Sequence, residues 1–266
     1  MNWFDLRLAQ LATIVYFAAA ALLGMESLSK RAKPRSAWLA VLLVAVGIHA
    51  ASLIARGLAS GELPFTDLYE YTLFMSFAIG VVFLVFFRKR LPAVGALAVV
   101  VVILLLVGSA AFLFPTSPHG IMMPALKSYW LYIHVSLAAL GETFFAVAFV
   151  ASLLYLARRA GADHSSLRDL DRLTYKAISM GFPIFTAGAL VAGAIWAKQA
   201  WGSYWSWDPK EVLSLVVWLV YAVYLHSRLV RNLRGAPAAV ISIAGFALTI
   251  FTIFGNEIFG GLHAYE

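Results

Sequence analysis

The segment Trp201-Gly202-Ser203-Tyr204-Trp205-Ser206-Trp207-Asp208-Pro209-Lys210-Glu211 concentrates the side chains best suited to hold a ligand. Three Trp and one Tyr fall within seven residues, and Trp196 lies just before them. Trp and Tyr are enriched at membrane interfaces as an aromatic belt, but a belt spreads its rings over many helix ends. Three of the chain's eight Trp in one loop point instead to a surface on which a planar, apolar ligand lies. The continuation Asp208-Pro209-Lys210-Glu211 also has a structural reading. Asp as N-cap, Pro at the first helical position and Glu at the third form a capping box for the next helix. Ligand contact by Asp208 is the alternative, and the two are compatible, since a capped helix holds the loop rigidly.

Histidines form the second group. His134, in Tyr129-Trp130-Leu131-Tyr132-Ile133-His134, and His263, in Gly260-Gly261-Leu262-His263-Ala264-Tyr265, both fall near the Trp-rich loop in the topology derived below. One interfacial His is ordinarily a hydrogen-bonded polar residue. Two beside an aromatic platform also fit an axial pair for a haem iron, because imidazole suits iron. His226 lies near one end of an apolar run, beside Arg228, and His49 near the middle of another. Ionisable groups inside a span are costly and read as functional hypotheses; for His226 the bland alternative is snorkelling toward the headgroups. Glu142, central in its own run, needs a proton or a partner there. His119 and His164 fall in polar loops and carry no assignment.

The elements that position these groups follow from composition. The chain of 266 residues is 62% hydrophobic and 12% charged, with mean hydropathy +0.86. Soluble domains are about half apolar and a quarter charged, so lipid is the solvent that accommodates this excess. A removable leader does not explain it, because apolar runs recur to the C-terminus. There are no cysteines, hence no disulfide and no thiolate chemistry from this chain.

A span takes about 20 apolar residues. Such runs predict helices over 9–26, 37–57, 67–87, 91–114, 129–157, 177–197, 211–231 and 238–257. The net charge of +7 is not spread evenly. Four clusters (Lys30 to Arg35, Arg88 to Arg90, Arg158 to Lys176, Arg228 to Arg234) hold 15 of the 20 basic residues. Placing all four in the cytoplasm lets eight spans alternate without conflict, with both termini outside. The charge therefore reports topology and not a nucleic-acid partner. The segment 160–176 reads as a solvated linker or surface helix. The expected fold is a single all-α transmembrane domain over 1–266, with an outer loop at about 196–211.

The string WGSYWSWDPKEVLSLVVWLVYAVYLHSR (201–228) resembles the tryptophan-rich WWD signature of the haem-handling cytochrome c assembly protein family. PALKSYWLYIHV (124–135), GLHAY (261–265) and HAASLIARGLASGELPFTDLYEY (49–71) resemble three further family segments, in the family's order. Within the family the chain is most similar to the synthase subunit of the two-component, system II type. The resemblance implies haem b on the outer surface as ligand and substrate, with His134 and His263 as axial ligands. Trp201, Tyr204, Trp205 and Trp207 would pack against the porphyrin beside Asp208, and Arg56 and Lys210 would meet its propionates. It further implies that His226 holds haem in transit, with a second His from a CcsB/ResB-like membrane partner or, from within this chain, His49. The partner's large outer domain is not fused here, and Glu142 departs from the family pattern.

The implied reaction is thioether formation: two thiols of an apocytochrome c CxxCH motif add across the haem vinyl groups while the protein positions haem. The membrane would be the bacterial cytoplasmic membrane or the plastid thylakoid, with the active face outside the cytoplasm. The competing readings are a protein that hands haem to a chaperone and a haem or small-molecule transporter. A di-haem redox cytochrome is the third, and it would place its His pairs within the bilayer.

Overall fold

The computed structural model describes residues 4–28, 36–65, 67–87, 92–112, 128–161 and 164–259. The described residues form helices joined by short turns, and they contain no strand. Contacts divide the chain into two compact units, Met1–Met122 and Met123–Glu266.

The first unit holds α1 (Phe4–Leu28), α2 (Ser36–Ser60), α3 (Leu68–Val82) and α4 (Pro92–Phe112), and α3 is prolonged by a π-helical turn, Phe83–Phe87. α1 packs on α2 and α4, and α3 packs on α4. Ala12, Tyr16, Ala19 and Leu23 of α1 are fully buried. Their spacing of three and four residues makes one stripe of an α-helix. α2 buries Trp38, Leu42, Ala45, His49, Ser52 and Arg56 at the same spacing, so its inward stripe turns polar from His49 onward.

These polar groups find partners inside the unit, as buried polar groups must. His49 Nδ1 lies 3.3 Å from the Tyr16 hydroxyl, and Ser52 donates to the Asp5 carbonyl at 2.7 Å. Arg56 donates from Nε to Glu70 at 2.6 Å and from Nη1 to Asp5 at 3.1 Å. Asp67, 3.7 Å from Arg56 Nη2, caps α3 by accepting from the Glu70 backbone N–H at 2.7 Å.

The second unit is built on α5 (Tyr129–Arg158), with Ser128 as N-cap. It continues through α6 (His164–Phe185), a π-helical segment (Thr186–Ala192), α7 (Gly193–Trp201), α8 (Pro209–Val230) and α9 (Ala236–Phe259). α5 is the centre: α6, the π segment, α7 and α9 all pack on it, while α8 packs chiefly on α9. Gly141 and Gly181 let α5 and α6 meet backbone to backbone. A Cβ on Gly141 would sit 2.7 Å from the Phe185 nitrogen, and one on Gly181 would sit 2.9 Å from the Gly141 carbonyl. Close approach through small residues is how helices associate in lipid, where the hydrophobic effect between them is weak.

Among the described residues seven helices are long and apolar enough to cross a membrane, and the shorter apolar stretch Val94–Val107 lies in α4. The eight predicted runs therefore coincide with helices of a multi-pass membrane protein. One boundary differs in kind. The surface helix expected at 160–176 and the span expected at 177–197 are a single 38-residue helical run, His164–Trp201. Its first half is polar and amphipathic; the second is apolar. Pro183 sits inside it, and the π segment begins three residues later. A proline removes one intrahelical hydrogen bond and crowds the preceding turn, and a π turn absorbs such a mismatch.

Candidate functional site

α7 stops at Trp201 because Gly202 adopts φ +83°, the left-handed conformation that closes a helix, and its N–H returns to the Lys198 carbonyl at 3.1 Å. Lys198 Nζ donates to the Gly202 carbonyl at 2.8 Å, fixing the turn from the other side. α8 begins at Pro209 with the capping box expected from the sequence: the Asp208 side chain accepts from the first-turn backbone, and Glu211 accepts from the Asp208 N–H. Only residues 202–208 separate the helices, a tighter loop than the stretch of about 196–211 expected from the sequence.

Glu211 does more than cap. Its Oε2 accepts from the Ser206 N–H at 2.8 Å and from the Asp208 N–H at 3.3 Å, one on each side of Trp207. Trp207 has φ +60°, a region that large side chains rarely occupy. Such a backbone costs about 1–3 kcal/mol and persists only where its surroundings impose it. Here the two bonds to Glu211 impose it, and the Trp207 ring is turned outward, 71% exposed. Tyr204 is also exposed, and Trp205 meets Trp207 edge to face with centroids 5.8 Å apart.

The aromatic residues thus divide into two sets. Tyr204, Trp205 and Trp207 make the outward surface. Trp196 is buried at 1% exposure and packs edge to face on the half-buried Trp201, with centroids 5.1 Å apart. The inner pair supports His134, whose ring stacks on Trp196 with centroids 5.7 Å apart and planes 6° apart.

His134 donates its Nδ1–H to the Gly188 carbonyl at 3.0 Å. A carbonyl only accepts, so this bond places a proton on Nδ1, and in the neutral imidazole the lone pair is then on Nε2. Backbone-bonded Nδ1 with a basic Nε2 is the usual arrangement of a metal-binding imidazole. Gly188 belongs to the π segment and also accepts from the Gly193 N–H, so one oxygen serves both the helix and the histidine. Gly193 has no side chain where one would collide: its Cβ would lie 2.9 Å from the His134 ring. Composition and hydropathy did not single out Gly188 or Gly193. The sequence signal that could have found them is the glycine pair five residues apart, just after a proline, within an apolar span.

A cavity of about 40 Å³ is lined by His134, Gly193, Tyr204, Trp205, Lys210 and Glu211, among others. It brings together the predicted residues His134, Tyr204, Trp205 and Lys210. It is far smaller than the hundreds of Å³ of a site that engulfs a ligand, so a planar ligand reaching His134 would lie across the mouth against Tyr204 and Trp205. A haem fits that donor set: a neutral imidazole for iron, indole and phenol faces for the ring, and a lysine for carboxylates. His263 falls outside the described residues.

His226 is exposed, one turn before the end of α8, at the opposite end of that helix from the Trp loop. His49 and Arg56 belong to the first unit. His49 is fully buried between the Tyr16 and Phe77 rings. The Arg56 guanidinium, 1% exposed, is committed to Glu70 and Asp5. Glu142 is buried at mid-span in α5. Among the described residues no group of three or more His, Cys, Asp or Glu is arranged to hold a bare metal ion.

Comparison with known proteins gives one family. The family described as Cytochrome C assembly protein matches residues 65–263. The cytochrome c biogenesis protein CcsA of Pyropia yezoensis is 31% identical over 303 aligned residues, covering 96% of this chain and 93% of that protein. CcsA of Solanum bulbocastanum is 33% identical, covering 80% of each chain, and that of Prochlorococcus marinus (strain NATL1A) is 35% identical, covering 80% and 79%. Among solved structures, the cytochrome c heme lyase CcmF superposes with a TM-score of 0.70 at 19% identity. That match covers 97% of this chain and 50% of CcmF, so the chain corresponds in fold to about half of that protein. Spans, Trp-rich loop and matched segments agree: this multi-pass membrane protein belongs to the cytochrome c assembly protein family and is CcsA-like.

Proposed function

We propose that this chain is the haem-presenting subunit of a system II cytochrome c synthase. The observation that carries the reading is the hydrogen bond from His134 Nδ1 to the Gly188 carbonyl, which leaves Nε2 as the basic nitrogen beside Tyr204, Trp205 and Lys210. Haem b is substrate here. His134 supplies one axial nitrogen and His263 the other, the exposed rings hold the porphyrin face, and Lys210 meets a propionate. Held in this way, haem presents its vinyl edge to the two thiols of an apocytochrome c CxxCH motif. Each thiol adds across a vinyl group: a carbon–sulfur bond forms, the thiol hydrogen goes to the neighbouring carbon, and nothing is oxidised. The chain's contribution is orientation and high effective concentration.

His226 serves haem arriving from the cytoplasmic side, and its exposure on α8 leaves it accessible to a second ligand from a CcsB/ResB-like partner. The termini and the Trp loop then face away from the cytoplasm of a bacterial cytoplasmic or thylakoid membrane, with the basic clusters inside.

The test is the absorption spectrum of the chain co-purified with its partner, as wild type and as His134→Ala, His263→Ala and His226→Ala. The expected wild-type spectrum is that of a bis-imidazole haem, converted to a high-spin form or lost on removing His134 or His263. Depletion of haem from the whole complex by His226→Ala places the inner site upstream. A haem-free complex indifferent to all three changes overturns the reading.

A further inference from the structure

At the far end of the second unit from the Trp loop lies a larger cavity, of about 780 Å³. One wall is the polar half of α6, where Arg168, Asp171, Arg172 and Tyr175 recur at helical spacing. The other is the end of α8 and the turn to α9, with Arg228, Leu229 and Arg234. Four arginines thus face one aspartate.

That aspartate is already engaged. Asp171 takes both Arg228 nitrogens, with Nη1 at 2.9 Å and Nη2 at 2.5 Å, and accepts the Gly235 N–H at 2.9 Å. Arg228 also donates to the Leu233 carbonyl at 3.0 Å, and Arg234 Nε donates to Asn232 at 3.1 Å. The turn is therefore a built wall, held by Asn232 and Gly235 in left-handed conformations (φ +54° and +74°). Arg168, Arg172 and Arg234 are exposed along this cavity, and no ion pair joins them to an acid among the described residues.

The depth of the cavity follows from helix lengths. The 38-residue run His164–Trp201 is about 57 Å long at 1.5 Å per residue, against a hydrocarbon core of about 30 Å. Its polar first half therefore projects into the headgroup layer, level with the end of α8. Leu229 lines the cavity and is 70% exposed, and Val230 and Val223 continue an exposed apolar face along α8. A cationic cavity opening onto an apolar helix face fits an anionic amphiphile better than a free anion.

We propose that this cavity binds the phosphate headgroup of an anionic phospholipid, with Arg168, Arg172 and Arg234 around the phosphate and the acyl chains along α8. Basic pockets between spans at the headgroup level bind such lipids, and arginine's planar fork suits phosphate oxygens. The site is separate from the haem-presenting surface and does not depend on that reading.

The test is native mass spectrometry of the full chain after exchange into mixed micelles of cardiolipin, phosphatidylglycerol and phosphatidylcholine. Wild-type protein should retain an anionic lipid in preference to phosphatidylcholine. The double variant Arg168→Gln/Arg172→Gln should lose on the order of tenfold or more of that affinity. Arg234→Gln, on the other wall, should weaken retention in the same direction. Arg231→Gln removes the same charge from an exposed neighbour that does not line the cavity, and it should retain lipid as wild type does. Equal loss in Arg231→Gln would mean diffuse surface charge and overturn the proposal. Displacement of the lipid by millimolar inorganic phosphate, or by a porphyrin dicarboxylate, would assign the cavity to those anions and overturn it as well.

Discussion

His134 lies flat on Trp196, with ring planes 6° apart and centroids 5.7 Å apart, while its Nδ1 points to the Gly188 carbonyl. The stacking fixes the plane of the imidazole and the hydrogen bond fixes its rotation in that plane. Neither residue faces solvent as the outer aromatics do. The histidine is aimed from within the helix bundle, and the Trp loop supplies the surface in front of it.

Replacing His134 with Phe separates these roles. Phe keeps a ring to stack on Trp196 and loses both nitrogens, so the variant should fold with a stability loss of about 1 kcal/mol, the scale of one net hydrogen bond. It should lose low-spin haem as completely as His134→Ala. Thermal unfolding followed beside the Soret spectrum measures both, and unchanged haem binding in His134→Phe would remove His134 from the iron.

Gly193→Ala tests the aim of the ring without touching it. The new methyl would begin 2.9 Å from the imidazole, and overpacking of this kind costs about 1–3 kcal/mol. The cheapest relief is rotation of His134 away from Gly188. The expected outcome is a folded protein whose haem spectrum shifts toward high spin, with affinity reduced at least about tenfold, the equivalent of 1.4 kcal/mol. Gly47, whose Cβ would meet nothing within 4 Å, provides the control: Gly47→Ala should leave the spectrum unchanged.

The hydropathy pattern and basic clusters located the helices because both are set by the lipid, residue by residue along the chain. The capping box was equally legible, being local to Asp208, Pro209 and Glu211. What could not be read was anything that depends on which side of a helix meets another helix. Trp196 and Trp201 look like Trp205 and Trp207 in sequence, yet the first pair supports His134 and the second faces outward. The π segment at 186–192, which puts the Gly188 carbonyl within reach of His134, has no pattern of its own in hydropathy. Arg56 read as a cation for a propionate; that it is also paired with Asp5, 51 residues away in sequence, needed the fold. The basic residues around Arg228 read as a charge cluster between spans, but their convergence on one cavity needed the fold.

The buried ion cluster of the first unit makes a stability prediction. Arg56→Ala would leave the buried carboxylates of Asp5 and Glu70 without their cation, which for a buried pair costs about 3–5 kcal/mol. Removing the charges together, as Arg56→Met with Asp5→Asn and Glu70→Gln, should recover most of that loss. Detergent-solubilised thermal unfolding distinguishes the two. If the single change is as stable as the triple, the cluster does not hold α1, α2 and α3 together.

Trp207 offers a case where stability and function should move in opposite directions. Its backbone sits at φ +60°, held by the two bonds from Glu211 to Ser206 and Asp208. Glycine occupies that conformation without steric cost. Trp207→Gly should therefore unfold at the same temperature as wild type or higher, because relief of strain offsets the loss of a ring that is 71% exposed and packs little. If the strained turn exists to hold an indole against a planar ligand, the same variant should bind haem more weakly, by several-fold, while Trp207→Phe keeps most of the affinity. Glu211→Ala should reproduce the haem defect from a distance, since it frees the backbone on both sides of Trp207, and should also cost about 1 kcal/mol as a lost helix cap. Trp207→Gly with lowered stability and full haem affinity would mean that the exposed ring serves the fold, and that the ligand surface lies elsewhere on the loop.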